Sequence, residues 1–214
     1  MVNKILSFFW GQTVKTPKPE TLPCIEINMH NGKVHIDGAH VNYSFGSLHQ
    51  VFRKAIKQEI KTIKSAKTML ILGFGAGSIA KIIRNEYGLK NLQMVGIELE
   101  PTMINLAREY AEINDFEDIE IQICDAQAFM SHNKKQFDLV MIDLFIEKTI
   151  PSFCFESPFI AQIESAMYPN ALLIWNTLNN NGMKNFLHET SLQLTRETPM
   201  QDENLVYFFR KKNI

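Results

Sequence analysis

The chain has 214 residues, of which 45% are hydrophobic and 21% charged, a globular composition that excludes a disordered or fibrous polymer. At about 150 residues per domain, the length suits one large domain with a small appendage. Lysine and arginine total 22 against 23 acidic residues, a net charge of −1, so no bulk charge draws the chain to nucleic acid or to an anionic membrane.

The opening run Ile5-Leu6-Ser7-Phe8-Phe9-Trp10 follows a lysine. It is too short for a signal-peptide core and lacks a small-residue cleavage site, so the expected compartment is cytoplasmic. Residues 11–23 carry Pro17, Pro19 and Pro23 and read as an extended arm. From Cys24 the pattern turns to strand alternation through Ile25 and Ile27. Asn31-Gly32 is a two-residue hairpin signal, Val34 and Ile36 lie on the return strand, and Val41 and Tyr43 suggest a third short strand after Asp37-Gly38. A meander this small has no core of its own and must pack on the rest. Residues 1–46 are therefore read as an arm with a small β-meander, and 47–214 as the main domain.

The spacing predicts a helix over 47–66: Leu48, Val51, Phe52, Ala55 and Ile56 form one apolar stripe, and Ser47 is a suitable N-cap. Strands and helices then alternate. Strands are predicted at 68–72, 92–97, 119–124, 137–142 and 171–176, and helices at 78–87, 102–113, 154–168 and 182–190. A last strand pair follows at 193–197 and 205–209. Alternation of this kind gives a mostly parallel sheet covered on both faces, with ligands at the carboxyl ends of the strands where their order reverses. The cysteines at 24, 124 and 154 are odd in number and far apart, a pattern of free thiols rather than of disulfides or a zinc site. No run approaches the ~18 apolar residues of a membrane span.

The strongest motif is Gly73-Phe74-Gly75-Ala76-Gly77-Ser78, between an apolar strand and a helix. Glycine lets the backbone turn sharply there and leaves bare main chain for a ligand, and the helix start adds free N–H groups. Glu98 ends the next strand, roughly twenty residues on, where a carboxylate can accept both hydroxyls of a ribose. Asp125 ends the third strand and can accept from an adenine amino group; Asp143 ends the fourth and faces the same crevice. A dinucleotide site needs Gly-x-Gly-x-x-Gly, but here the last position is Ser78 and the third glycine comes one residue early. Phe153, Phe155 and Phe159 are read as core, with a lid as the alternative, and Asn176 follows a strand end near the crevice.

The glycine string resembles that of class I S-adenosylmethionine-dependent transferases. More narrowly, residues 24–178 resemble the spermidine synthase family. The residues that carry the likeness are Ile36-Asp37-Gly38, Leu48-His49-Gln50, Gly73 to Gly77, Glu98-Leu99-Glu100-Pro101, Cys124-Asp125-Ala126 and Asp143-Leu144-Phe145-Ile146-Glu147. Asp143 also keeps the family's spacing to Phe155 and Phe159. The resemblance implies a Rossmann-like class I methyltransferase fold: an α/β domain with a mostly parallel seven-stranded sheet and a small β-unit before it. It implies S-adenosylmethionine, or its decarboxylated form, held by Gly73, Gly75, Gly77, Glu98, Asp125, Ala126 and Asp143, with no metal. A homodimer paired through the N-terminal sheet is a further family-based expectation.

The departures bear on the reaction. Ala76 replaces the family's aspartate in the glycine motif, which holds the ligand's amino group. Ile146 replaces a second aspartate, which helps deprotonate the attacking amine. Leu48 and Gln50 replace a tyrosine and a glutamate that help hold the polyamine. A diamine buried without carboxylate partners costs several kcal/mol. Glu147, one residue along, is a candidate substitute. His49, at the helix start, is a candidate general base, and Asp143 completes the catalytic candidates. The expected activity is methyl transfer to a small acceptor. Aminopropyl transfer and a non-catalytic nucleoside-binding regulator are the alternatives.

Overall fold

The computed structural model describes residues 12–22, 24–30, 33–37, 47–110, 118–146, 148–178 and 182–213. An antiparallel three-stranded sheet comes first, formed by β1 (Gln12–Lys15), β2 (Glu26–His30) and β3 (Lys33–Asp37) in that order. Its first strand falls in the segment read from its prolines as an arm. Those prolines all follow Lys15, so the β-branched Thr13 is free to pair with Asn28 of β2, and Val14 falls at a register shift. The strand expected at 41–43 lies outside the described residues. Ile27 and Ile36 are register partners, and both are buried.

Two helices cover the stretch predicted as one: α1 (Ser47–Gln58) and α2 (Ile60–Ser65). They break at Glu59, whose backbone leaves helical values (φ −114°, ψ 17°) and whose carboxylate takes Arg210 at 2.8 Å. Val51, Phe52, Ala55 and Ile56 of α1 share a core with Ile25, Ile27 and Ile36, which is how the small sheet finds the support it lacks alone.

The main sheet contains β4 (Thr68–Leu72), β5 (Gln93–Glu98), β6 (Ile119–Ile123), β7 (Phe137–Ile142), β8 (Met167–Leu178), β9 (Gln193–Pro199) and β10 (Asn204–Arg210). The spatial order is β6-β5-β4-β7-β8-β10-β9. β4 to β8 are parallel, and β10 lies antiparallel between β8 and β9. Met69 and Ile71 pack into the core on one face, Leu70 and Leu72 into the core on the other. Burial on both sides explains why β4 is apolar without alternation, each such side chain contributing about 1.5–3 kcal/mol.

The crossovers carry α3 (Ser78–Lys81), α4 (Pro101–Tyr110), α5 (Ala126–His132), α6 (Ser157–Ser165) and α7 (Gly182–Glu189). α3 widens into a π-turn over Ile82–Glu86, where the buried Arg84 donates to Leu92 O at 2.7 Å and pairs with Asp118 at 2.6 Å. The helix predicted over 154–168 divides into a 3-10 turn (Ser152–Phe155) and α6. Pro158 lacks an N–H and fits only the first turn of α6. Phe155 and Phe159 are buried, and Phe155 stacks on Trp175 at 5.4 Å, as expected of core. Among the described residues, no helix is long and apolar enough to cross a membrane.

Candidate functional site

The strand order reverses at β4, which has β5 and β6 on one side and β7 and β8 on the other. A cavity of about 630 Å³ opens at their carboxyl ends, the place where open α/β sheets bind ligands.

Its floor is the turn after β4. The N–H groups of Gly73 and Phe74 both donate to Ile97 O, at 3.0 and 2.9 Å, which ties the turn to β5. Gly73 has φ 85°, and a Cβ there would stand 2.2 Å from the Asp143 carbonyl oxygen. The close approach of β4 to β7 therefore requires glycine. Gly75 has φ 55°, but no atom lies within 4 Å of its would-be Cβ. It presents bare main chain to open space in the cavity wall. Gly77 (φ 78°) is the N-cap of α3 and shapes the turn from behind. Gly96, inside β5, admits the ring of Phe74, whose Cδ2 would be 2.3 Å from a Cβ at that position.

Three strand-end carboxylates line this one cavity, as do Gly73, Gly75 and Ala126. Glu98 is half-buried; its Oε2 accepts from Gly75 N–H at 2.7 Å and its Oε1 from Glu100 N–H at 2.9 Å. Burial raises its pKa despite the donors from Glu100, Gly75 and Leu99, and the Glu100 charge adds to the rise. Asp125 caps α5, its Oδ1 accepting from Ala128 N–H at 2.9 Å. Asp143 accepts from Asn176 Nδ2 at 3.0 Å through Oδ1. Burial pushes its pKa up to about 7, the Asn176 donor opposing and the Glu98 charge reinforcing that shift.

The structure does not bring His49 to the cavity wall. Its Nε2 lies 3.1 Å from Glu86 Oε1, and Phe52, a turn further along α1, is the residue that reaches the wall. The expectation that His49 faces the crevice therefore does not hold: the α1 stripe that packs on the core turns the imidazole to the π-turn. Glu147 lies outside the described residues.

Sequence reasoning missed a strap. Glu100 is 1% exposed, and its Oε2 accepts from Glu20 N–H (2.9 Å), Thr21 N–H (2.7 Å) and Thr21 Oγ1 (2.8 Å). Its Oε1 accepts from Thr102 N–H at 3.0 Å. Burial alone would raise this carboxyl, but the donors from Thr21, Thr102 and Glu20 outweigh it and hold the pKa at about 2. The next residue of the arm, Leu22, forms part of the cavity wall. The sequence offers only a second glutamate before a helix-opening proline, with nothing to name its partners. Also unforeseen are Lys148 and the β9–β10 turn, where Asp202 and Glu203 both have positive φ (54° and 63°) and reach the cavity rim. Among the described residues, no group of three or more His, Cys, Asp or Glu side chains is arranged to hold a metal ion.

This combination of fold and crevice defines a class. A family profile described as a methyltransferase domain matches residues 63–212, and the chain belongs to that family. Within it, the fold is similar to that of two solved spermidine synthases. It is similar to a probable spermidine synthase from Corynebacterium glutamicum (TM-score 0.75, 16% identity, 95% of this chain and 82% of that one). The spermidine synthase from Thermotoga maritima gives a TM-score of 0.71 at 16% identity, over 95% of this chain and 74% of the other. Human methyltransferase-like protein 13, solved with SAH, gives 0.61 at 16% identity, over 79% and 83%. A probable polyamine aminopropyl transferase from Bifidobacterium longum is 26% identical over 112 residues, 52% of this chain. The polyamine aminopropyltransferase of Oceanobacillus iheyensis is 25% identical over 119 residues. The chain spans about a quarter of the length of these two curated relatives, 24% and 23%.

Proposed function

We propose that the cavity binds S-adenosylmethionine, or its decarboxylated form, and that the chain transfers a methyl group to a small acceptor. The observation that carries this reading is the meeting of Glu98, Asp125 and Asp143 around the open main chain of Gly75 in one cavity. Glu98 would take the ribose hydroxyls, its carboxylate already oriented by two N–H donors. Asp125, with Ala126 beside it, would take the adenine. Gly73, Gly75 and Asp143 would hold the methionine portion, with Gly77 setting the turn, and Gly75 leaves the room that a side chain would fill.

A sulfonium carries its own leaving group, so the protein has only to align a nucleophile and exclude water. Asp143 would accept the proton shed by the acceptor nitrogen or oxygen as that atom bonds to the methyl carbon and the S–C electron pair leaves on sulfur. A carboxyl with a pKa of about 7 is well matched to that task near neutral pH. Glu147, one residue past the position of the family's second aspartate, is the candidate substitute for it; His49 has no role in this reading. Aminopropyl transfer is the second reading, favoured by the polyamine transferases among the relatives and by the three-stranded N-terminal sheet. That sheet is also the face through which a homodimer would pair.

Calorimetric titration with S-adenosylmethionine, its decarboxylated form and methylthioadenosine tests the reading. Glu98→Ala removes hydrogen bonds to a charged acceptor and should weaken each ligand by about tenfold or more. Heat from none of the three at millimolar concentration would reject nucleoside binding. Tight binding with no turnover of amine or hydroxyl acceptors would identify a regulator instead.

A further inference from the structure

We infer that Asn176 is the positioning residue of this site: its amide aims the Asp143 carboxyl and favours the charged form that can take a proton from the acceptor. The inference rests on the reading of the cavity as a transferase site and gives a role to a fully buried side chain behind its wall.

Asp143 is pinned on two sides. Its N–H donates to Leu72 O at 2.8 Å, which fixes its main chain to β4. Its Oδ1 accepts from Asn176 Nδ2 at 3.0 Å, which fixes its side chain to β8. Ile142 and Trp175 are register partners, as are Val206 and Asn176, so Asn176 lies in a strand that is paired on both sides. It is 0% exposed, as are Trp175 and Thr177. Asn176 Oδ1 is buried with no hydrogen-bond partner among the described residues, and an unpaired buried carbonyl costs stability. A leucine would fill similar space without that cost. What the amide adds is the Nδ2 bond to Asp143.

That bond bears on the chemistry. Burial and the Glu98 charge both drive Asp143 toward its neutral acid, which cannot accept a proton, and the Asn176 donor acts the other way. The other charged groups at the cavity are Asp125 at the end of β6, Lys148 after β7, and Asp202 and Glu203 on the β9–β10 turn. The three carboxylates among them reinforce Glu98, and Glu147, outside the described residues, has the same sign. Lys148 is exposed, so water screens its charge. Asn176 donates at hydrogen-bond distance and away from water, where a bond to a charged oxygen is strongest. With Oδ1 so engaged, Oδ2 is the oxygen left to receive the proton.

NMR of protein with isotope-labelled aspartate carboxyls follows Asp143 directly, its signal assigned by loss in Asp143→Asn. In the wild type, the side-chain amide signals of Asn176 should titrate with the same midpoint as that carboxyl. In Asn176→Leu the Asp143 midpoint should rise by about one pH unit or more, a tenfold gain in proton affinity, as loss of a hydrogen bond to a charged group implies. The pH at which affinity for S-adenosylmethionine rises in calorimetry should move up by the same interval. Asn176→Ala should shift in the same direction and serves if leucine disrupts folding. An amide signal that ignores the titration of Asp143 overturns the inference. So does an unchanged midpoint in a folded variant, even one that melts lower, because that describes a structural role alone. The carboxyl titration needs no ligand. If the wild type binds neither S-adenosylmethionine nor methylthioadenosine, the nucleoside reading falls, and the midpoints still decide whether Asn176 governs Asp143.

Discussion

Replacing Asp143 by asparagine should stabilise the ligand-free protein at neutral and alkaline pH while impairing its binding of a sulfonium. The carboxyl is half-buried and held in place by Asn176, and an asparagine can accept the same hydrogen bond without carrying a charge. The fold raises the carboxyl from 3.8 to about 7, so the native state favours its protonated form. A raised pKa contributes its full stability below 3.8 and loses it as pH rises to about 7, above which the loss is constant. About three units at 1.36 kcal/mol each set a ceiling of roughly 4 kcal/mol. The group faces an open cavity, so solvent screening reduces the expected difference to about 1–2 kcal/mol. Urea unfolding of both proteins, followed by tryptophan fluorescence from pH 4 to pH 8, measures it, and the groups common to both cancel in the difference. The two should coincide near pH 4, with the variant gaining stability up to about pH 7. Superimposable curves at every pH, or a variant less stable at pH 8, would refute the reasoning.

Ligand binding should follow the same titration: affinity for S-adenosylmethionine, a cation at sulfur, should rise through pH 7, while that for uncharged methylthioadenosine should stay flat. A parallel rise for both ligands in calorimetry would exclude Asp143 as the cause. Glu100→Gln removes the charge that anchors Glu20 and Thr21 and should cost about 1–2 kcal/mol at pH 7, after discounting for the exposure of those two residues. Because that pKa is lowered from 4.5 to about 2, the deficit should fade as pH falls between those values, and limited proteolysis at pH 7 should cut the arm faster in the variant. The two turn glycines should separate by phenotype. Gly73→Ala meets a carbonyl at 2.2 Å and should destabilise by about 2–3 kcal/mol. Gly75→Ala enters open space and should lose only about 1–2 kcal/mol to its left-handed backbone, yet weaken nucleoside binding at least tenfold. Equal melting points with equal affinities would remove the distinction.

The legible part of this chain is the part where one residue's environment is set by its own strand. The apolar run of β4, the glycine turn and the strand-end carboxylates at 98, 125 and 143 could each be read this way, because burial on two faces and the switch-point geometry leave few alternatives. Features that depend on a distant partner were hidden. Glu100 is legible only as part of the Glu98-Leu99-Glu100-Pro101 run, and its hydrogen bonds come from residues 79 and 80 positions away in the chain. His49 sat on a plausible face of α1, and only the placement of Glu86, 37 residues on, decided its orientation. Helix α5 was missed because its seven residues are too few for a periodic stripe. Asp125, its N-cap, reads in the sequence only as a ligand for adenine.

Glu98 and Glu100 show how the hidden and the legible parts of the site are joined. Two residues apart at the end of β5, they diverge: Glu98 engages the N–H of Gly75, and Glu100 reaches back to the arm at Glu20 and Thr21. One peptide links them, since the N–H of Glu100 donates to Glu98 Oε1. Any movement of the arm that pulls on Glu100 is therefore felt by the carboxylate proposed to take the ribose, through a single hydrogen bond of 2.9 Å. Their electrostatics oppose in the same sense: Glu100 is held ionised by its donors, and its charge is one cause of the raised pKa of Glu98. A ribose donating two hydroxyl hydrogen bonds would favour the ionised form of Glu98 and offset that repulsion. The seat of the arm and the proposed seat of the nucleoside thus share one short segment of chain, with Leu22 as the point where the arm itself meets the cavity wall.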